Sequence, residues 1–288
     1  MAVGLTPEER ERYHRQMILP SWGGEAQKAL KRSRVFIAGA GGLGSSVCMY
    51  LAAAGVGILR ICDGGEVELS NLNRQILHGV DRIGVNKALS AVKTLQAVNP
   101  TVEVIPLTDA ITADNVESLI GEAGLVIDCL DNFHTRFILN DHVVKTGLPL
   151  VHAGVNGFCG QIAFIHPPHT ACLACLVAEA PPPEILPILG ATAGAVGCLE
   201  ALEALKYLTG TGKLLEGRLL FFDGETMEIQ EVRFDRDPEC PVCGSRADRN
   251  GGSGADRNGD SRADRNGGSK ADRNGGSGAG HGGGSKGG

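Results

Sequence analysis

The sequence predicts an α/β domain: a mostly parallel sheet with helices on both faces, extended by antiparallel C-terminal strands and a zinc knuckle, then a disordered tail. Three observations carry this. Short apolar runs alternate with helical patterns up to about Phe158, as in repeated βαβ units. A glycine turn, Gly39-x-Gly41-x-x-Gly44, joins the first apolar run to an apolar helix. From Arg246 onward the chain is Gly, Ser, Asp, Arg, Asn and Lys, with almost nothing to bury.

The elements follow in order. Helical pattern runs from Pro7 to Gln16, opened by Thr6 as cap, Pro7 in the first turn and Glu9 closing a capping box. A second helix covers Gly24 to Lys31. Val35 to Ala38 is a short buried strand, Ser45 to Ala54 an apolar helix, and "ILRICD" the next strand, ending at Asp63. "GVNKALSAVKTLQAVNP" is an amphipathic helix stopped by Asn99-Pro100. "VEVIPL" is a strand, "ADNVESLI" a short helix, and "LVIDCLDN" a buried strand with polar residues at its C-terminal end. "FHTRFILNDHVVKTG" is a helix ending at Gly147, and "PLVHAGV" a strand. Beyond Phe158 the rhythm changes. "GQIAFIH", "RLLFFDG" and "MEIQEVRF" read as strands of an antiparallel extension, with the helix "GAVGCLEALEALKYLTG" between them.

Residues 1–245 are thus one folded domain with enough chain for a sizeable core. Residues 246–288 are an octapeptide repeat of the type "ADRNGGSG" that lacks the apolar residues a stacked repeat needs. Asp256, Asn258 and Asp260 have calcium-loop spacing, but in one copy only and without a closing glutamate, so a solvated repeat is the reading. The chain carries a formal charge of −6, and the basic tail leaves the domain more acidic still. That excludes a general affinity for nucleic acid or anionic membrane. No apolar run reaches the length of a membrane span. The charged N-terminus lacks the apolar core of a signal peptide. With nine cysteines, the expectation is a reducing, cytoplasmic setting.

Gly39-x-Gly41-x-x-Gly44, with Asp63 about nineteen residues on, fits the fingerprint of a Rossmann-like nucleotide site, with Gly39, Gly41, Gly42 and Asp63 as the candidate contacts. The glycines let backbone N–H groups reach phosphate at a helix start, and the carboxylate can hold a ribose. This alone suggests NAD or FAD. The stretch "SNLNRQ", Ser70, Asn71, Leu72, Asn73, Arg74 and Gln75, changes the balance. Arg74, Lys87 near the next helix start, and Asp131-Asn132 at a strand end exceed what hydride transfer requires. They suit a triphosphate: the cations offset phosphate charge, and Asp131 can hold Mg²⁺. Singly, Arg74 or Lys87 reads as a solvated surface charge; the set carries the inference.

Cys172-x-x-Cys175 and Cys240-x-x-Cys243 supply the four thiolates of a closed structural zinc site. The alternative is four ordinary thiols with Cys172 and Cys175 as a redox pair. Cys48, Cys62 and Cys129 lie in apolar stretches and read as core. Cys198 begins an amphipathic helix and reads as a small buried residue. Cys159 carries no signal either way. His14, His78 and His152 lack ligand spacing.

"RYHRQMILPSWG", "VFIAGAGGLGSS", "YLAAAGVG", "SNLNRQ", "NKA", "DCLDNFHTRFILND" and "GFCGQ" resemble the ThiF/MoeB/HesA family of ubiquitin-activating-enzyme-like adenylyltransferases, over about Leu5 to Ser245. The resemblance implies Mg-ATP as co-substrate and, as partner, a ubiquitin-like sulfur carrier of MoaD or ThiS type ending in Gly-Gly, serving molybdopterin, thiamin or a related product. The glycine carboxylate would attack the α-phosphate and release pyrophosphate. The resemblance implies that Gly41 approaches the phosphates, Asp63 binds ribose, Asn71, Arg74 and Lys87 hold the phosphates, and Asp131 holds Mg²⁺. It also implies that Arg15 reaches the nucleotide of a neighbouring subunit, hence a homodimer. Two departures stand out. The family's usual acid two beyond Asp63 is Gly65 here. The loop "EAPPPEILP" has Pro183 where several relatives carry a transferring cysteine. A separate sulfur donor is then expected. An NAD-dependent oxidoreductase and a non-catalytic carrier-binding module are the competing readings.

Overall fold

The structure, a computed structural model, describes residues 4–180 and 186–244. The repeat tail and the Pro181–Pro183 stretch lie outside the described residues.

In chain order the elements are α1 (Pro7–Arg12), α2 (His14–Met17), α3 (Gly23–Arg32), β1 (Arg34–Ala38), α4 (Gly42–Ala54), β2 (Ile58–Cys62), α5 (Lys87–Val98), β3 (Glu103–Leu107), α6 (Val116–Ile120), β4 (Leu125–Asp128), α7 (Phe133–Thr146), β5 (Leu150–Asn156), β6 (Cys159–Ile165), α8 (Leu173–Leu176), α9 (Gly190–Thr209), β7 (Arg218–Asp223) and β8 (Glu228–Arg233). They form an eight-stranded sheet of order β3-β2-β1-β4-β5-β6-β7-β8. From β3 to β5 neighbours are parallel; from β5 to β8 they are antiparallel. None of the described helices is long and apolar enough to cross a membrane.

Both faces of the parallel part are buried, and the strands alternate between them. Val35, Ile37, Leu59, Ile61, Leu125 and Ile127 join a core with α3, α4, α5 and α9. Phe36, Ala38 and Val126 join a second core with α6, α7 and the cysteine region. The polar residue that ends β4, Asp128, keeps the parity of Val126.

Three expectations change in detail. The first helical pattern is not continuous: it breaks at Tyr13, with φ −97° and ψ 6°. There the side chain turns inward, and its hydroxyl takes a hydrogen bond from Asn99 Nδ2 at 2.8 Å. The capping box of Thr6 and Glu9 forms as expected. The last helix starts at Gly190, one turn before "GAVG", so Cys198 sits well inside α9 rather than at its start, and it is only partly buried. The helix after the glycine turn begins at Gly42 rather than Ser45.

Candidate active site

β1 ends at Ala38, and the chain turns through Gly39 into α4. Gly39 has φ +99°, and a Cβ there would lie 2.7 Å from the carbonyl oxygen of Cys129. Gly44 packs on that same turn: its Cβ would stand 2.1 Å from Gly39 O. Both positions need glycine, one for backbone conformation and both for close approach. The turn is tied on two sides. Asp63, just past β2, accepts Ala40 N–H on Oδ2 and Gly65 N–H on Oδ1, each at 2.8 Å. The buried His78 lies with Nε2 2.9 Å from Ala40 O and Nδ1 2.9 Å from Ser90 Oγ. Burial keeps this ring neutral, its pKa below the ordinary histidine value.

Above the turn, at the C-terminal ends of β1, β2 and β4, opens a cleft of about 700 Å³. This is where open α/β sheets take ligands. Gly39, Gly41, Gly42, Asp63, Arg74, Gln75, Lys87, Asp131 and Asn132 all line it. Val155, Leu186 and Ile188 give it an apolar side. Ser70, Asn71, Leu72 and Asn73 do not line the cleft. The buried Asn71 uses Oδ1 to accept Glu68 N–H at 3.1 Å and so shapes the turn that carries Arg74. Arg74 Nη1 donates to Ser70 O at 2.9 Å and to Asn73 Oδ1 at 3.0 Å. Lys87 is the first residue of α5, which Asn86 caps by accepting from Ala88 N and Leu89 N. A Cβ on Gly65 would lie 3.2 Å from Asp63 Oδ1 and 3.5 Å from Lys87 Nζ, so a side chain at this position would stand beside both groups. Asp131 is exposed on the turn after β4, and Asn132 caps α7 through Thr135 N–H at 2.9 Å. Arg15 is exposed on α2 and does not line the cleft of its own chain.

Three cations, Arg74, Lys87 and Arg136, three carboxylates, Asp63, Asp109 and Asp131, and a bare helix N-terminus therefore line one cavity. Gln75 lines the cleft as well, and its Oε1 is buried without a hydrogen-bond partner. A nucleotide with its phosphates on the glycine turn fits this donor set, and a carboxylate on the rim suits a hydrated divalent cation.

The four paired cysteines come together as well. All four Sγ atoms lie within 4.8 Å of one another. Cys172 and Cys240 are 3.8 Å apart, Cys175 and Cys243 3.4 Å. A zinc ion with four thiolates at ~2.3 Å has sulfur–sulfur edges of about 3.8 Å, so the cluster fits zinc. Burial pushes the Cys175 thiol up to about 11; a cation among the four sulfurs offsets that cost. Cys172 leads into α8, whose Leu173 N–H donates to Asn140 Oδ1 on α7 at 2.8 Å.

Sequence reading missed the buried polar groups under the cleft. Asp128 is fully buried, with Oδ2 2.7 Å from His152 Nδ1 and 3.4 Å from Arg136 Nε. Burial alone would raise this carboxyl; Arg136 and the His152 hydrogen bond hold it below the ordinary range. Glu200 on α9 is also fully buried, with Oε2 3.8 Å from Cys129 Sγ. Burial, then the Asp128 charge, pushes its carboxyl well above the ordinary range. The one available signal was an aspartate inside the apolar run "LVIDCLDN". Cys48, Cys62 and Cys129 are buried as expected, and burial raises all three thiols, Cys62 to about 12.

A model of the ThiF family matches residues 13–242. The chain belongs to the ThiF family. Members similar to it include the sulfur carrier protein adenylyltransferase of Thermus thermophilus, 44% identical over 250 residues, covering 83% of this chain and 92% of that one. The heterocyst HesA protein of Trichormus variabilis is 42% identical over 247 residues, 85% of this chain and 92% of that one. The bovine adenylyltransferase and sulfurtransferase MOCS3 is 40% identical, but this chain spans only 55% of its length. Among solved structures, the microcin C7 biosynthetic enzyme MccB in complex with N-formylated MccA aligns with a TM-score of 0.75 at 21% identity, covering 83% of this chain and 77% of that one. At that identity the likeness shows the fold.

Proposed function

We propose that this ThiF-family member is an adenylyltransferase that binds Mg-ATP and activates the C-terminal glycine carboxylate of a ubiquitin-like sulfur carrier. The observation that carries the reading is the convergence of Arg74, Lys87 and Asp131 on the cleft that also holds the glycine turn and Asp63. The names of the Thermus and bovine relatives support it. A hydride-transfer enzyme would leave those three charged groups without a task.

A carboxylate oxygen attacks the α-phosphorus of ATP, the bond to the β-phosphate oxygen breaks, and pyrophosphate leaves with the electron pair. The nucleophile is already ionised, so no general base is needed. The obstacle is bringing one anion to another, and fixed cations lower it without reorganising during the reaction. Arg74 and Lys87 supply that charge. Asp63 receives ribose hydroxyls, and the N–H groups at the start of α4 receive phosphate oxygens. Mg²⁺, held by Asp131, would offset further charge on the leaving pyrophosphate. The apolar side at Val155, Leu186 and Ile188 admits an extended glycine tail. Arg15, exposed and outside the lining of its own cleft, serves the cleft of a second copy in a homodimer. Sulfur reaches the acyl adenylate from a separate donor.

The test is incubation with ATP and candidate carriers ending in Gly-Gly. A carrier that gains one adenylyl group by mass spectrometry, with carrier-dependent exchange of labelled pyrophosphate into ATP, is the expected result. NAD(H) binding without either signal would overturn the reading.

A further inference from the structure

The Asp131 carboxylate sits on a turn, Cys129–Asn132, whose backbone is gripped from below. Asp128 Oδ1 accepts Leu130 N–H at 3.1 Å. Arg136 Nη2 donates to Leu130 O and, at 2.8 Å, to Ala153 O on β5. Cys129 N–H donates to Ala38 O at 2.9 Å, and the Asn132 side chain closes the turn onto α7. Leu130, the residue before Asp131, thus has both backbone groups bound by an ion pair.

That ion pair is itself oriented. Asp128 and His152 are register partners on the adjacent parallel strands β4 and β5. They point to the same face, and His152 Nδ1 meets Asp128 Oδ2 at 2.7 Å. With the ring neutral, the Nδ1 proton is donated to the carboxylate, which fixes the direction of both oxygens: Oδ2 toward His152 and Arg136, Oδ1 toward Leu130. His152 does not line the cleft and is fully buried. A buried ion pair is weak evidence for stability, because desolvation cancels much of its attraction. Its directional bonds are what apolar packing could not supply.

We propose that Asp128, Arg136 and His152 form a positioning assembly that fixes the Cys129–Asn132 turn and thereby sets where the Asp131 carboxylate meets the metal ion of a bound nucleotide. This rests on the nucleotide reading above. None of the three needs to touch the metal. His152 is the one to alter, because it lies furthest from the ligand along the chain of bonds.

The two amide substitutions at this position separate direction from bulk. The Asn amide nitrogen falls close to the site of imidazole Nδ1; the Gln amide nitrogen falls near Nε2. His152→Asn therefore keeps a donor for Asp128, whereas His152→Gln and His152→Leu do not. The experiment titrates Mn²⁺ onto the full-length protein with ATP, reading bound metal by electron paramagnetic resonance, and measures ATP binding in EDTA and thermal unfolding on the same samples. Expected is a loss of Mn²⁺ affinity of tenfold or more in His152→Gln and His152→Leu, and of threefold or less in His152→Asn, with metal-free ATP binding within twofold of wild type in all. Should His152→Leu fail to fold, the Asn and Gln pair still decides. Equal Mn²⁺ affinity in the Asn and Gln variants, or losses that track the unfolding temperature rather than the donor position, would overturn the proposal. A wild type that binds ATP but no Mn²⁺ with it would instead overturn the role given to Asp131, and one that binds no ATP the nucleotide reading itself; the positioning proposal falls with either.

Discussion

Gly190, the first residue of α9, packs so tightly on the Arg74 turn that a Cβ would stand 2.4 Å from the carbonyl oxygen of Asn73. From there the same helix passes Gly42, where Ala193 Cβ lies 3.1 Å from the position a Cβ would take, and ends its contact at Glu200 beside Cys129. One rigid rod thus touches the turn of Arg74, the glycine turn and the turn of Asp131, and it sets their separation. Gly190→Ala forces the Arg74 turn outward, an overpacking cost of about 1–3 kcal/mol. Carrier-dependent pyrophosphate exchange is expected to fall more than tenfold while the control Ala195→Ser, at an exposed site on the same helix, stays near wild type. Wild-type exchange in Gly190→Ala would show that α9 does not set the position of Arg74.

Arg74→Ala, Lys87→Ala and Asp131→Ala are each expected to lose about a hundredfold in exchange, since one fixed charge at a developing phosphate charge is worth on the order of 3 kcal/mol. Circular dichroism should be unchanged. Arg15→Ala should lose as much. Mixed with an Asp131→Ala protomer it should recover part of the activity, because one of the two clefts then receives Arg15 and Asp131 from different chains. Verified mixed dimers that stay inactive would remove Arg15 from the shared cleft.

One zinc per chain is expected by metal analysis of the folded protein. Replacing Cys172, Cys175, Cys240 or Cys243 by Ser should cost more than ~3 kcal/mol, in the range that lost metals and cavities occupy. The cluster joins the core beneath α7, so its loss should also loosen that helix in hydrogen exchange. Full reactivity of all four thiols toward alkylating agents in well-folded protein would contradict a zinc site.

Glu200→Gln tests the buried carboxyl. Burial raises its folded pKa above the unfolded value. Its contribution to stability is therefore fully present below the ordinary carboxylate range and is lost as pH rises toward the folded pKa, by about 1.4 kcal/mol for every pH unit climbed between the two. Gln is neutral at every pH. The stability of Glu200→Gln relative to wild type should grow as pH is taken from about 5 to about 8 in urea unfolding. A difference independent of pH would mean that Glu200 is ionised in the folded state.

No thiol-sensitive conjugate between enzyme and carrier is expected on a non-reducing gel. The thiols that line the cleft, Cys62 and Cys129, are buried and raised away from the reactive thiolate. Cys198 lies within α9, not at a helix N-terminus that would activate it. A conjugate that disappears in Cys198→Ser or Cys159→Ser would name a transferring thiol.

Much of this was legible in the sequence, because local rules write it there. Helix and strand periods, the glycine turn, the Thr6 capping box and the Cys-x-x-Cys pairs depend on residues a few positions apart, and the alternation of strands and helices placed Gly39, Asp63 and Asp131 at the ligand-binding edge of the sheet. What stayed hidden depends on register and packing between distant segments. Asp128 meets His152 only because β4 and β5 pair in one register; a shift of one residue would turn them to opposite faces. The fit of Gly190 against Asn73 and of Glu200 against Cys129 arises where α9 lies across the sheet, and the two residues of each pair stand more than seventy positions apart in the chain. Composition and period decide which segments become strands and helices. The close-packed interior decides which polar groups are left facing one another, and there a single Cβ or one misplaced donor changes the outcome.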